Sequence, residues 1–149
     1  MKLKVIDKRL HGWGLPSYET GAAAGMDIRA CIEDVLFLDD GERALIGAGF
    51  ALDMSKMVNM AAFVYARSGL AHKQGLGLSN SVGVIDNDYR GEIKVSVLNT
   101  SGYQQKIRAG DRIAQMVFKP IFRPEFQVVE SFESSTERGA GGFGSTGLN

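Results

Sequence analysis

Apolar and polar positions alternate in short runs along most of this chain, and clusters of Gly, Asp, Asn and Ser separate the runs. Period-two alternation bounded by turn formers predicts strands. Leu3 and Val5, set among lysines, open the first, with Ile6 at its apolar end. Residues 11–20, with two glycines, Pro16 and Ser17, read as a loop. The small residues at 21–25 lead into a strand that starts at Asp27. Val35–Leu38, the turn Asp39-Asp40-Gly41 and Arg43–Ile46 predict a hairpin, continued over 47–52 as a bent strand. Residues 53–59 have apolar positions at helical spacing but are too few for a stable helix, which predicts a turn. Residues 60–65 read as a buried strand, and Ser68 is placed to cap one short helical turn. An apolar run to Ile85, the turn formers Asp86, Asn87 and Asp88, and then Ile93, Val95 and Val97 predict a central β-hairpin. Residues 103–107 and 112–118 predict two further strands around a turn at 108–111, with Lys119-Pro120 closing the second. Phe126, Val128 and Val129 predict a last strand. Many short strands and almost no helix argue an all-β barrel or sandwich. No internal repeat, low-complexity linker or boundary divides it.

Composition narrows the classes of function. A chain of 149 residues is long enough for one domain with a proper core. Lys+Arg and Asp+Glu balance at 17 each, so no overall field favours nucleic acid or an anionic membrane. Any bound anion must be held by a local constellation or by a metal ion. The single cysteine, Cys31, has no internal partner, which suits a reducing compartment and a small buried side chain. A cytoplasmic location is expected. No apolar run approaches the roughly 20 residues of a membrane span. The N-terminus enters strand-like alternation directly, so no signal peptide is expected. Glycine is abundant, at 19 residues, as many tight turns or backbone passing close to a ligand would require.

Candidate chemistry gathers at a few places. Asp86, Asp88 and Tyr89 lie together at the tip of the central hairpin, a loop held by rigid strands. The same residues also make turns, and the hairpin alone favours that simpler reading. Arg67 beside the start of the short helix could seat a phosphate, or be a surface arginine next to an ordinary cap. Gln115 sits in an apolar strand and needs a hydrogen-bond partner if buried. His72 has no second histidine at metal-ligand spacing and reads as structural or solvent-facing. The tail Glu137–Gly147 is flexible by composition. It is no Walker-type phosphate loop, since no lysine follows the glycines. Arg138 and Phe143 among those glycines could fold over a ligand; a disordered tail is the alternative.

Five stretches in order complete the pattern: Ala24–Ala30, Ala66–Ala71, Asn80–Gly91, Gly110–Met116 and Arg138–Gly144. Together they resemble the five motifs of the trimeric dUTPases, in the bacterial and phage style, over essentially the whole chain. The resemblance implies a jelly-roll-like β-barrel over residues 1–136 and a flexible glycine-rich C-terminal arm over 137–149. It implies a homotrimer with three active sites shared between subunits. The implied reaction is hydrolysis of dUTP to dUMP and pyrophosphate, with Mg²⁺ carried on the triphosphate, which limits uracil in DNA and supplies dUMP for dTTP synthesis. Neither nucleic acid nor membrane is an expected partner, and a regulatory protein partner is left open.

The resemblance also assigns roles. Asp86 matches the aspartate that activates the water attacking the α-phosphorus; a carboxylate is a weak base, so positioning must supply much of the effect. Tyr89 matches the ring that packs on deoxyribose and refuses a 2′-hydroxyl. Asn80, the backbone of Gly83, Val84 and Ile85, and Lys94 match the uracil-reading set. Main-chain donors and acceptors in fixed order leave cytosine mispaired, a mismatch worth about 10⁴-fold or more. Arg67, Ser68 and Gly69 match the phosphate motif, and Gln115 a glutamine supporting phosphates or water. Asp27 matches the first motif's acid, expected to order Mg²⁺-bound water or the neighbouring arginine without ligating the metal. Arg138 would reach the γ-phosphate, and Phe143 with Gly144 would close over the uracil. Two rivals remain at this stage. A dCTP deaminase shares the fold, but its acid–base arrangement for cytosine C4 is not found at the hairpin. A nucleotide-gated binding module would use the same residues without needing turnover.

Overall fold

The computed structural model describes residues 1–142. Ten strands and two short helices follow one another as β1 (Lys2–Val5), α1 (Leu10–Trp13), β2 (Met26–Arg29), β3 (Leu36–Leu38), β4 (Arg43–Asp53), β5 (Met60–Ala66), α2 (Ser68–Gln74), β6 (Leu76–Leu78), β7 (Gly83–Ile85), β8 (Glu92–Asn99), β9 (Gln105–Ile107) and β10 (Arg112–Pro120). All pairings are antiparallel. One four-stranded sheet has the order β1-β4-β8-β6, a second β2-β10-β5-β7, and β3 with β9 forms a two-stranded ribbon. The all-β expectation holds.

The alternation in β8 shows how sequence becomes core. Ile93, Val95 and Val97 are buried while Lys94 between them is exposed. The inward residues of all three sheets meet in one cluster, with Ile28, Phe50, Val64, Ile107 and Met116 among its members. Each such side chain contributes about 1.5–3 kcal/mol by leaving water. Asn99 is the one buried polar residue among those described. Its amide donates to the carbonyls of Leu38 (2.9 Å) and Tyr103 (2.7 Å) and accepts from the Ser101 N–H at 3.0 Å, which ties β8 to β3. A bulge bends β4 between Gly47 and Ala51, where Gly49 has φ +74° and a Cβ would sit 2.5 Å from the Cys31 sulfur.

Several local expectations need correction. The central hairpin is not built as the pattern suggests. β7, which leads into Asp86, pairs with β5 (Ala62 opposite Ile85), whereas β8 pairs with β6 (Leu78 opposite Val97). The turn over 79–82, with Ser81 at φ 61°, lifts the chain from one sheet to the edge of the other. The Asp39–Glu42 turn forms, with the Glu42 N–H donating to the Asp39 carbonyl, but its flanking strands do not pair: β3 goes to β9 and β4 to β1 and β8. Ser68 begins α2 and makes no capping bond; Arg67 holds the cap position in extended geometry. One turn of helix, α1, replaces part of the loop predicted for 11–20, because Leu10 is pulled into the core. No strand forms at 126–129: Phe126 is 90% and Val128 96% exposed. The alternation there is genuine, but the described residues supply no partner strand.

Candidate active site

The first group of candidate residues lies where β7 ends. β7 is the edge strand of its sheet, so one side of its main chain has no strand partner among the described residues. Val84, Ile85, Asp86, Tyr89, Glu92 and Lys94 line a hollow of about 180 Å³ beside it. Asp86 is exposed, and its carbonyl accepts from the Tyr89 N–H at 3.2 Å, closing the turn. The Tyr89 hydroxyl donates to the Glu92 carbonyl at 3.0 Å, which folds the ring back over Gly91. Asn80 is exposed, with its amide nitrogen above Gly83. The structure therefore brings together Val84, Ile85, Asp86, Tyr89 and Lys94, with Asn80 and Gly83 at the start of the same loop. Glu92 was not foreseen; its carboxylate accepts from the Gly49 N–H at 3.0 Å and anchors the start of β8 on the β4 bulge.

Behind this turn, Arg90 reaches the Asp53 carboxylate at 3.1 Å. The Ser55 hydroxyl and N–H also donate to Asp53. Those bonds, and after them the Arg90 charge, hold the Asp53 carboxyl below its usual value.

The second group follows from the register of three adjacent strands. Gln115 in β10 stands opposite Asp27 in β2 and opposite Tyr65 in β5. Two residues past Tyr65, Arg67 leaves the end of β5 and turns back over the sheet. Its Nε donates to Asp27 Oδ1 at 2.8 Å, and Arg112 Nη1 donates to Asp27 Oδ2 at 3.1 Å. The Asp27 side chain is only 15% exposed, so it is a sheltered anion shared by two guanidinium groups. Gln115 donates to the Ala66 carbonyl at 3.0 Å, which supplies the partner its half-buried amide needs. Ser68 and Gly69 are exposed on the first turn of α2. Arg112 was not among the expected site residues; its contact with Asp27 depends on the β10–β2 register, which no local pattern reveals.

The two groups stand apart. Ala62 stands opposite Ile85 at the Asp86 end of β7, and Arg67 lies five residues further on, just past the end of β5, roughly 17 Å at strand rise. Among the described residues no hydrogen bond or ion pair joins them. Arg138 is exposed in the segment after β10, where its Nε donates to the Gly141 carbonyl at 2.9 Å. Phe143 and Gly144 lie outside the described residues. His72 is exposed, and no three His, Cys, Asp or Glu side chains converge on a metal position among the described residues. No helix among them is long and apolar enough to cross a membrane.

A small all-β chain with an Asp–Tyr loop on one sheet edge and an arginine–aspartate cluster at the far end of the next strand agrees with the dUTPase plan that the motifs resemble. The chain belongs to the dUTPase family, whose model matches residues 11–147. It is 48% identical to a deoxyuridine 5′-triphosphate nucleotidohydrolase of Coxiella burnetii, over all of this chain and 97% of that one. It is 45% identical to the enzyme of the same name from Acinetobacter baumannii, over 99% and 97% of the two chains. Among solved structures it matches the dUTPase of Staphylococcus bacteriophage 80alpha bound to dUpNHpp, with a TM-score of 0.85 and 27% identity over 99% and 98% of the two chains.

Proposed function

We propose that this enzyme hydrolyses dUTP to dUMP and pyrophosphate in sites completed by a second and a third copy of the chain. The observation that carries this is the hollow where Asp86, Tyr89 and the free edge of β7 face one another. An unpaired strand edge offers main-chain donors and acceptors in fixed order, which suits one face of uracil. The bound dUpNHpp in the phage relative supports a nucleotide of this class.

Asp86 takes a proton from a water molecule whose oxygen attacks the α-phosphorus. The bond from that phosphorus to the bridging oxygen breaks, and pyrophosphate leaves with its electron pair. The attack needs little covalent help from the protein, so alignment and charge neutralisation supply most of the rate. Arg67, with Ser68, Gly69 and Gln115, holds the phosphates, and Asp27 keeps Arg67 extended by pairing with its Nε. Arg138 and Phe143 belong to the arm that closes the site. Tyr89 packs on the sugar. With Asp27 engaged by two arginines and no carboxylate cage beside it among the described residues, the donor set fits a Mg²⁺ that would be carried by the triphosphate with its own water, which Asp27 would help to order. When bound, the ion supplies charge neutralisation on the phosphates.

The need for several copies follows from distance. One chain holds Asp86 and Arg67 near opposite ends of β5, with no contact between them among the described residues, which supports a site assembled from more than one copy. Past Pro120 the chain exposes Phe122, Phe126, Val128 and Phe132, each about 90% exposed or more, a stretch that needs another surface to cover it. A trimer meets both needs, and sedimentation should give the mass of three 16.1 kDa chains.

The test is pyrophosphate release from dUTP, dTTP, dCTP and UTP in the presence of Mg²⁺. Release from dUTP alone is expected; ammonia from dCTP would instead favour a deaminase. Asp86→Asn should cut turnover to a small residual rate while dUpNHpp still binds. A fully active Asp86→Asn enzyme would remove the water-activating role.

A further inference from the structure

The Asp86 carboxylate is exposed, and among the described residues only the backbone of Asp86 takes part in a hydrogen bond. What is held firmly is the residue after it. Asn87 points inward and is half-buried. Its amide nitrogen lies 2.8 Å from the Met54 carbonyl, 2.9 Å from that of Met57 and 3.4 Å from that of Met60. An amide NH₂ has two hydrogens, and the two short bonds use both. The Met54 and Met57 carbonyls belong to the turn between β4 and β5 and that of Met60 opens β5; the turn is itself closed by the Met57 N–H donating to the Met54 carbonyl. Arg90 makes the second tie, donating to the Asn87 and Tyr89 carbonyls at 2.8 and 3.0 Å while pairing with Asp53 at the start of the same turn.

We infer that Asn87 is a positioning residue: by docking into the 54–60 turn it fixes where the Asp86 carboxylate points. The inference rests on the reading of Asp86 as the group that activates water. Adjacent Cα atoms are a fixed 3.8 Å apart, so any slip of Asn87 carries Asp86 with it. An exposed carboxylate with no bond of its own has no other restraint on that side. The amide chemistry is specific. An aspartate here would set acceptors against three acceptors, and a serine has one donor and a shorter reach. The β4–β5 turn, far from Asp86 in sequence, thereby becomes part of the support for the reacting group.

The test compares dUTP hydrolysis by Asn87→Ala in the wild-type and in the Asp86→Asn background. In the wild-type background kcat should fall about tenfold to a hundredfold, the scale of a 1 Å misplacement. KM and dUpNHpp affinity should stay within about twofold, because binding does not depend on where the carboxylate points. In the Asp86→Asn background the same change should cause no further loss of the residual rate, since the two act as a unit. An unchanged kcat, a loss confined to KM, or an equal loss in both backgrounds would overturn the inference. A wild-type rate in Asp86→Asn alone would sink the reading of Asp86 instead, and so is told apart. Asn87→Asp runs in parallel as the isosteric change that removes the donors. It should lose at least as much kcat, and a fully active Asn87→Asp enzyme would also overturn the inference should the alanine variant not fold.

Discussion

On the proposed reading of Tyr89 as the ring that packs on deoxyribose, replacing Gly91 with alanine should weaken discrimination against ribonucleotides more than it weakens stability. The backbone at Gly91 is outside the left-handed region, so alanine is conformationally allowed there. The obstacle is the Tyr89 ring. A Cβ on residue 91 would stand 2.6 Å from the ring Cζ and 3.0 Å from Cε2, and would overlap the hydroxyl oxygen. Ordinary carbon contacts begin near roughly 3.5 Å, so the ring must move by about 1 Å. That movement breaks the hydroxyl's bond to the Glu92 carbonyl, worth about 1 kcal/mol net. The ring is 43% exposed and has room to swing out, so the cost stays at the low end of the roughly 1–3 kcal/mol typical of overpacking. A melting-temperature drop of a few degrees, about 2–4 °C, is expected. Catalysis should suffer more, because a ring displaced by 1 Å no longer sets the sugar, and such errors cost up to about 10²-fold. The assay is kcat/KM for dUTP and for UTP, wild type against Gly91→Ala. The ratio of the two should fall by about tenfold or more, for each 1.4 kcal/mol of lost discrimination is a factor of about ten. An unchanged ratio in a folded variant would show that the ring does not need the space Gly91 leaves, and would refute the reasoning.

Two other outcomes can be checked directly. Asp27→Asn removes the sheltered anion between Arg67 and Arg112, whose side chains are 30% and 41% exposed. It should lower stability by about 1–2 kcal/mol, since these pairs fall between surface and buried strength. KM for dUTP should rise as Arg67 loses its orientation; equal melting curves at one protein concentration together with an equal KM would count against the pairing. Burial, and after it the Asp7 charge, push the Cys31 thiol up to about 11 from an ordinary 9.0. The native state keeps this proton longer than the unfolded chain does. The favourable contribution is therefore complete below about pH 9 and is lost as pH rises towards 11. At pH 8 iodoacetamide should alkylate the native thiol about a hundredfold more slowly than the unfolded one; equal rates would contradict the burial.

Most strands were legible because a half-buried strand must alternate, and this chain alternates cleanly at Ile93, Val95 and Val97. What the pattern could not say is which strand lies beside which. Residues 78–97 read as one hairpin because turn formers separate two apolar runs, yet the β7 run completes the edge of β5 instead. Pairing choice is decided by which edges are left open elsewhere, and that is a property of the whole sheet. The same reason explains Phe126 and Val128. Their alternation is that of a strand, and nothing in a single chain reveals that it has no partner within it.

The site divides along the same line. Asp86, Tyr89 and Arg67 stood out as candidates because they fall in short residue strings at strand ends that resemble the family's motifs. The groups that hold them did not. Arg112 meets Asp27 only through a register of 85 residues' separation, and Asn87 meets the Met54 carbonyl across 33. Asn87 in particular reads locally as one more turn former among aspartates, and a turn former would be free to point at solvent. Its amide points instead into the β4–β5 connection, where it meets three backbone carbonyls. A residue that closes a turn can be exchanged for another turn former at small cost. One that spends both its hydrogens on a distant loop cannot, and the kinetics of Asn87→Asp separate these two kinds of residue.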